Sequence, residues 1–260
     1  MNKNLRLLAV PTLALGMVAM AGAPAMADHA DGSYTATFGQ LNGTTGTATY
    51  TMDIDDTTAT VNLQVSGLAE TFMDAPYPHV QHIHGGALGE CPTMADDENG
   101  DGIINTSDGA PAYGGILTTL TTSGETSAAE GLNLELAGQG GSYSIERTFE
   151  MNAETLDSIE AGTAVVVIHG LDPATATGTE EAFNSESDIA PDLPLGATSP
   201  ALCGVVTAAQ MGAMPEGGAD TGVAQSSTNN MGALVLGGGL VLAAAAGGTY
   251  VVRRNAANRA

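Results

Sequence analysis

The chain has 260 residues, of which 29 are acidic and six are basic, and its formal net charge is −23 at pH 7. All the acidic residues lie between Asp28 and Asn230, where Arg147 is the single basic residue, so this stretch carries 29 negative charges against one positive charge. A field of that sign repels nucleic acid and anionic lipid and attracts cations. We therefore expect cations as partners and exclude a nucleic-acid-binding function, while the sequence identifies no protein partner.

The N-terminus has the order of a secretory signal peptide. Lys3 and Arg6 precede an apolar run that leads to the small-residue site Ala25-Met26-Ala27. The run is too short to span a bilayer comfortably, which favours cleavage over retention. We predict a signal peptide over residues 1–27, cleaved before Asp28, and export of the chain.

The C-terminus has the layout of a membrane anchor. Residues 231–252 contain no charged side chain and are long enough to cross roughly 30 Å of hydrocarbon as a helix. Residues 253–260 include three arginines, and because basic residues favour the cytoplasmic side they are predicted to form a cytoplasmic tail. Residues 211–230 are rich in small and polar residues, which predicts a flexible stalk. The layout is also similar to a Gram-positive sorting signal, but the LPxTG-type cleavage motif is missing, so we predict a permanent single-pass anchor in the cell membrane.

Residues 28–210, which would lie outside the cell, are of a size for one domain. In several short runs the apolar residues alternate with polar ones, as Val61, Leu63 and Val65 do. A period of two with Gly and Asp between the runs predicts half-buried antiparallel strands. Strands are predicted at Ser33–Phe38, Tyr50–Ile54, Val61–Val65, His79–His84, Gly115–Thr121, Ser142–Met151, Thr163–His169 and Gly204–Ala208.

One short helix is predicted among these strands, over Ala153–Glu160. Asn152 is its predicted N-cap and Gly162 ends it. Short strands with Gly-rich turns predict an all-β domain, either a β-sandwich or a flattened barrel.

The exported domain contains two cysteines, Cys91 and Cys203. An oxidising compartment and an even count favour a single disulfide between them. It would close a loop of more than a hundred residues, and in the chain-entropy model such a bond stabilises the fold by about 4–5 kcal/mol.

Three histidines are candidate metal ligands. His82 and His84 lie two residues apart on a predicted strand, so both rings leave the same face of the sheet. His169 ends the most apolar strand of the domain. A convergence of the three rings would give a three-nitrogen site that suits copper or zinc. His79 has the opposite parity and would join only if the strand bends at Pro78; the alternative is that all these rings are hydrogen-bonded structural residues.

The motifs around these histidines resemble two families. The order His82-Ile83-His84-Gly85-Gly86, Cys91, Val166-Val167-Ile168-His169-Gly170 and Cys203-Gly204-Val205-Val206 is similar to the skeleton of Cu/Zn superoxide dismutase. The segment from His79 to Gly86, which follows a Ser66-Gly67-Leu68 turn, resembles the CHRD (chordin-type) domain. Together the two resemblances span most of residues 28–208.

The dismutase resemblance implies a Greek-key β-sandwich in which His82, His84 and His169 match three copper ligands and Cys91–Cys203 matches the disulfide. No histidine lies between His84 and His169, so the bridging ligand and the zinc histidines of that family have no match here. The arginine that the dismutases carry before the last cysteine is also missing. We therefore expect copper binding without fast superoxide dismutation, since the acidic domain would repel an anionic substrate.

An acidic segment has the spacing of a twelve-position calcium loop similar to that of dockerin and EF-hand proteins. It has Gly102 at the turn position and the apolar Ile104 at position eight. A helix after the loop is not expected, because Gly109-Ala110-Pro111 would interrupt it. A bound calcium ion would have a structural role, and the alternative is a solvated acidic turn. The predicted calcium ligands are Asp97, Asn99, Asp101, the backbone carbonyl of Ile103, Asn105 and Asp108.

These observations predict an exported, acidic, membrane-anchored β-domain that binds metal at the cell surface and has no strong catalytic activity. Two alternatives remain open. The first is a divergent copper-only superoxide dismutase, and the second is a cell-surface structural or adhesive module whose histidines bind nothing.

Overall fold

The computed structural model describes residues 30–209 of the chain. The predicted signal peptide (1–27), stalk (211–230), transmembrane helix (231–252) and cytoplasmic tail (253–260) lie outside the described residues. Within residues 30–209, no helix combines the length and the apolar character needed to cross a bilayer.

Most of the described chain is β-structure, and its largest part is a single antiparallel sheet of eight strands that curls into a half-barrel. The strand order in this sheet is β10-β3-β2-β1-β12-β11-β7-β8, and two short antiparallel pairs, β4 with β5 and β6 with β9, lie outside it. The strands in chain order are β1 (Gly32–Gln40), β2 (Thr47–Asp55), β3 (Thr58–Ser66), β4 (Thr71–Phe72), β5 (Ala75–Pro76), β6 (Pro78–His79), β7 (Gln81–Gly85), β8 (Gly115–Thr119), β9 (Gly138–Gln139), β10 (Tyr143–Glu150), β11 (Val165–His169) and β12 (Pro200–Ala208).

The all-β prediction is confirmed, but the arrangement differs in one respect from two packed sheets. The described strands of the main sheet form one continuous hydrogen-bonded ladder. The predicted strand His79–His84 is also divided, because β6 pairs with β9 while β7 pairs with β11 and β8. The polar and apolar pattern is the same for one curled sheet and for two facing sheets, so it could not separate the two arrangements.

The main hydrophobic core fills the concave side of the half-barrel. On β3 it contains Val61, Leu63 and Val65, and on β11 it contains Val166 and Ile168. Thr60 and Gln64 on β3 face the opposite way and are exposed. The alternation predicted from the sequence therefore decides which face of β3 is buried.

Within residues 30–209, the opposite face of the sheet is covered near β7, β11 and β12. Here Val165 and Val167 pack with Tyr113 and Cys203 in a second, smaller cluster. All five residues of β11 are buried as a result. This covered patch of the convex face holds the histidines.

Four short helices connect the strands: α1 (Thr106–Tyr113), α2 (Ala153–Glu160), α3 (Glu180–Phe183) and α4 (Leu195–Thr198). The prediction for α2 is confirmed together with its N-cap, since the side chain of Asn152 accepts a hydrogen bond from the backbone N–H of Thr155.

The expectation that no helix follows the acidic loop is wrong, since α1 begins at Thr106 and contains Pro111. Asn105 and Asp108 form a reciprocal capping box at its start, in which each side chain accepts a hydrogen bond from the backbone N–H of the other residue. The capping box and the full burial of Tyr113 offset the one hydrogen bond that a proline removes from a helix.

Candidate metal centre

The three candidate histidines lie on neighbouring strands of the covered patch. His82 on β7 is paired with Val167 on β11, and His84 is paired with Val165. Because side chains alternate along a strand, His169 projects from the same face as those two valines. The register of β7 against β11 therefore places all three rings on one face.

The three rings converge closely enough to share one ion. Each ring offers one nitrogen, and these nitrogens all lie within 4.8 Å of one another. The ring centroids are 5.4 Å apart for His82 and His84, 5.1 Å for His82 and His169, and 6.0 Å for His84 and His169. Bonds of about 2 Å to a shared ion require nitrogens roughly 3.3–4 Å apart, so a spacing within 4.8 Å leaves at most a small inward movement of the rings on binding.

The other nitrogen of each ring donates a hydrogen bond to a backbone carbonyl. His82 Nε2 lies 2.8 Å from the Gly131 oxygen, His84 Nδ1 lies 3.0 Å from the Gly114 oxygen, and His169 Nδ1 lies 2.7 Å from the Thr198 oxygen. A carbonyl cannot donate, so each of these nitrogens carries the proton of a neutral ring. The carbonyls thus fix both the tautomer and the orientation of each imidazole.

The nitrogens left over are buried and have no hydrogen-bond partner: His82 Nδ1, His84 Nε2 and His169 Nε2. Each ring is only 2% exposed. A buried acceptor without a partner is unfavourable in a folded protein, and here three such lone pairs occur in one cluster. A metal ion bound by all three would remove this cost, so the residues fit a metal of the copper or zinc type.

Burial also keeps the rings neutral. Burial and the proximity of His169 together lower the pKa of His84 to about 3, against the opposing effect of the Gly114 carbonyl. Burial lowers the pKa of His169 to about 4, against the opposing effects of the Thr198 carbonyl and Asp188. The pKa of His82 is held well below its usual range by burial and by its two histidine neighbours. All three rings are therefore neutral, with one proton each, near pH 7, and the neutral imidazole is the form that binds metal.

A long segment between β7 and β8 covers the cluster. The ring of Tyr113 packs edge-on against His84 with a centroid distance of 4.6 Å, and its hydroxyl donates to the carbonyl of Thr106. The predicted disulfide is confirmed, and Cys91–Cys203 joins this segment to β12 with Cα atoms 5.8 Å apart. The cover is thereby tied to the strand next to β11.

His79 does not join the cluster. It is fully buried, and its two ring nitrogens lie 2.9 Å from the His169 carbonyl oxygen and 3.0 Å from that of Ala69. The position of His79 on β6, which has left the main sheet, directs its ring towards the backbone rather than the side chain of His169. Its hydrogen bond to the His169 carbonyl stabilises the C-terminal end of β11.

The acidic loop between residues 97 and 108 is tightly turned. Asp97 accepts hydrogen bonds from the backbone N–H groups of Gly100 and Gly102, Asn99 from that of Asp101, and Asp101 from that of Ile103. The last two predicted ligands, Asn105 and Asp108, form the capping box of α1. Among the described residues, the carboxylates of this loop do not form a group as close as the three histidines.

Sequence reasoning missed the residues that hold these segments in place. Asn42 is buried, and its amide accepts from the Ile104 N–H while donating to the Ile104 and Pro200 carbonyls. The Asn42-Gly43 dipeptide is a recognisable turn signal, but its partner lies 62 residues away. The backbone carbonyls of Gly114, Gly131 and Thr198 carry no side-chain signal that could have identified them.

These features define a disulfide-linked, all-β domain with a buried cluster of three convergent histidines. A scan against known protein families matches the CHRD domain over residues 29–172. The match covers more than half of the chain, and the chain belongs to the CHRD domain family. All three histidines lie inside the matched segment, whereas Cys203 lies beyond it. A search of curated proteins finds no match.

Membership of this family confirms the CHRD resemblance seen in the sequence and agrees with an extracellular β-domain.

Proposed function

We propose that this protein is an exported, membrane-anchored CHRD domain that binds copper or zinc through His82, His84 and His169 and has no strong catalytic activity. The observation that carries this proposal is the set of three buried ring nitrogens without partners, each aligned by a carbonyl bond on the far side of its ring. An arrangement that served only packing would not favour three orphaned acceptors within one cluster.

Elemental analysis tests the metal site. The full chain, expressed with both of its ends, is expected to contain close to one equivalent of copper or zinc as isolated. The His82→Gln and His84→Gln double variant should lose that metal. His79→Gln is the matched control, because this ring is also buried but directs neither nitrogen at the centre. If the wild-type protein contains no metal after growth in medium with copper and zinc, the proposed metal site is wrong and the structural or adhesive module remains.

A second metal is proposed for the acidic loop, where calcium would be bound by Asp97, Asn99, Asp101, the Ile103 carbonyl, Asn105 and Asp108. The support is the oxygen spacing together with a tightly turned loop. Calcium at millimolar concentration is expected to raise the melting temperature, since a ligand that binds only the folded state stabilises it. The Asp97→Asn and Asp101→Asn double variant should remove the effect. A wild-type melting temperature that calcium does not change would show that the loop is only a solvated acidic turn.

The enzyme alternative is a copper-only member of a dismutase-like fold, favoured by the order of the three histidines. Two observations oppose fast turnover: the three histidines are 2% exposed, and the guanidinium of Arg147, the single basic group of the acidic stretch, is engaged by the Thr121 and Gly124 carbonyls. Superoxide decay measured with the copper-loaded protein decides the question. A rate above that of the His84→Gln variant would establish the activity, and equal rates would remove it.

The proposed anchor has a direct test. Deleting residues 231–260 should move the protein from the membrane fraction to the medium, while the intact chain should be digested by protease added outside the cell. Retention of the deleted form in the membrane would place the anchor elsewhere.

A further inference from the structure

We propose that the three-histidine site selects monovalent copper, Cu⁺, over Zn²⁺ and Cu²⁺. The inference rests on the proposed function, that these histidines bind metal, and it goes further by naming the ion. It follows from three properties of the cluster: the charge of its donors, their number and their burial.

The donors are neutral. Among the described residues the group contains three histidines and no Asp, Glu or Cys side chain, and the carbonyl bonds hold each ring in its uncharged form. A bound Zn²⁺ or Cu²⁺ would therefore keep its full double charge in a site whose rings are 2% exposed. The free energy of removing an ion from water grows with the square of its charge, so a divalent ion is penalised far more than a monovalent one.

The number of donors favours the same ion. With three histidine ligands Zn²⁺ takes a water as its fourth ligand, and Cu²⁺ prefers four or more ligands in a tetragonal arrangement; histidines that are only 2% exposed give such a water little access. The cluster supplies three nitrogens. The hydroxyl of Tyr113, whose ring packs against His84, donates to the Thr106 carbonyl at 3.1 Å; it is therefore a protonated phenol, which is a weak metal ligand. Cu⁺ has a filled d shell and is stable with three ligands in a plane.

One carboxylate acts on the site from outside it. The negative charge of Asp188 reaches His169 and Tyr113, while its Oδ2 accepts a hydrogen bond from the backbone N–H of Ser107 at 2.7 Å. This charge attracts any cation in the site and does not by itself distinguish Cu⁺ from a divalent ion. The acidity of the whole domain attracts every cation and so raises local concentration without distinguishing Cu⁺ from Zn²⁺.

The test compares the three ions on the metal-free full chain. Cu⁺ is titrated in ascorbate, which leaves the disulfide intact, against a colorimetric Cu⁺ chelator; Zn²⁺ and Cu²⁺ are titrated against chelators of their own. We expect one equivalent of Cu⁺ bound at least 100-fold more tightly than either divalent ion. Ag⁺, a monovalent ion titrated without ascorbate because ascorbate would reduce it to the metal, should bind the same three histidines. X-ray absorption of the Cu⁺ complex should show three nitrogen neighbours.

Two variants show that the histidines are responsible. His84→Gln should weaken Cu⁺ binding at least 100-fold, while His79→Gln should change it less than 10-fold. Should His84→Gln fail to fold, as judged by loss of cooperative unfolding, His82→Gln replaces it. Tighter binding of Zn²⁺ or Cu²⁺ through the same histidines would overturn the selectivity and leave the proposed metal site standing. Binding of no ion, or binding insensitive to both substitutions, would overturn both.

Discussion

Asn42 holds two distant segments together with one side chain. It is 3% exposed, its backbone adopts a positive φ of 51°, and its amide pairs with both polar backbone groups of Ile104 and with the carbonyl of Pro200. Ile104 is the apolar position of the acidic loop, so Asn42 fixes that loop against the start of β12.

Asn42→Gly should reduce the free energy of unfolding by about 2–3 kcal/mol. Glycine accepts the positive φ without strain, so the loss reports the buried hydrogen bonds and the backbone groups left unpaired. Denaturant unfolding measures it. The matched control is Asp74→Gly, at an exposed turn position with φ 64°, which should change stability by less than about 0.5 kcal/mol. Equal losses for the two variants would contradict the assigned role.

The histidine cluster makes the metal-free domain sensitive to acid. The folded-state pKa is lowered to about 3 for His84 and about 4 for His169, and that of His82 is also lowered. In the unfolded chain these groups titrate near 6.5. Between the folded-state pKa values and about pH 6.5, the unfolded state binds more protons than the folded state. The contribution of the neutral histidines to stability is therefore complete above about pH 6.5 and is lost as the pH falls towards the folded-state pKa values.

Denaturant unfolding of the metal-free protein at pH 7, 6 and 5 tests whether stability falls as the pH is lowered. The free energy of unfolding should fall with pH by up to about 1.4 kcal/mol per unit for each histidine involved. His84→Gln removes one such group and should give a shallower slope. Stability that stays constant from pH 7 to pH 5 would show that the rings do not remain neutral in the folded state.

Among the elements, the junction between α1 and β8 is the part of the cover that bears directly on the metal centre. Gly114 ends α1 with a φ of 86°, and a Cβ atom built on it would lie 1.9 Å from the Gly85 carbonyl oxygen. Its own carbonyl accepts the hydrogen bond from His84. The close approach of α1 to the end of β7 therefore positions a ligand.

Gly114→Ala should destabilise the domain by about 3 kcal/mol or more, since the backbone must move as well as adopt a strained φ. It should also weaken metal binding. Gly162→Ala, just after α2, has a comparable φ of 69° and open space for the new methyl group, and it should cost roughly 1 kcal/mol. Thermal unfolding of both variants gives the comparison. Equal costs would mean that the steric contact at Gly114 is relieved by a small shift.

At the scale of the whole molecule, the half-barrel has two edge strands, β10 and β8. Arg147 on β10 donates to the Thr121 carbonyl and hydroxyl and to the Gly124 carbonyl, all just after β8. Asn152, at the start of α2, donates to the Leu117 carbonyl on β8 itself. The single basic residue of the acidic stretch thus links the two edges that the backbone ladder leaves apart.

Arg147→Met should lower the free energy of unfolding by about 1–3 kcal/mol, because it leaves two carbonyls and a hydroxyl without their donor. Amide hydrogen exchange should rise in residues 120–126 more than in β2. Arg147→Lys keeps the charge but not the planar fork of donors, so it should recover only part of the stability. Unchanged exchange in residues 120–126 would show that the edges are held together without the arginine.

Much of this molecule could be inferred from local pattern. Alternation along β2 and β3 indicated which of their residues are buried, and the Asn152 N-cap indicated where α2 begins. The oxidising compartment and the even number of cysteines indicated the disulfide. The two-residue spacing of His82 and His84 placed both rings on one face. These inferences succeed because side-chain direction in a strand or a helix repeats with a fixed period.

Only the tertiary structure decided the rest. One continuous sheet rather than two, α1 despite Pro111, and the register that brings His169 beside His82 all depend on contacts between residues far apart in the chain. The carbonyls of Gly114, Gly131 and Thr198 select the tautomer of each ligand, and the identity of a residue does not indicate where its backbone carbonyl will lie in the fold. The histidines were therefore visible as candidates from the start, but the direction of their lone pairs, on which the chemistry depends, was set by the folded backbone.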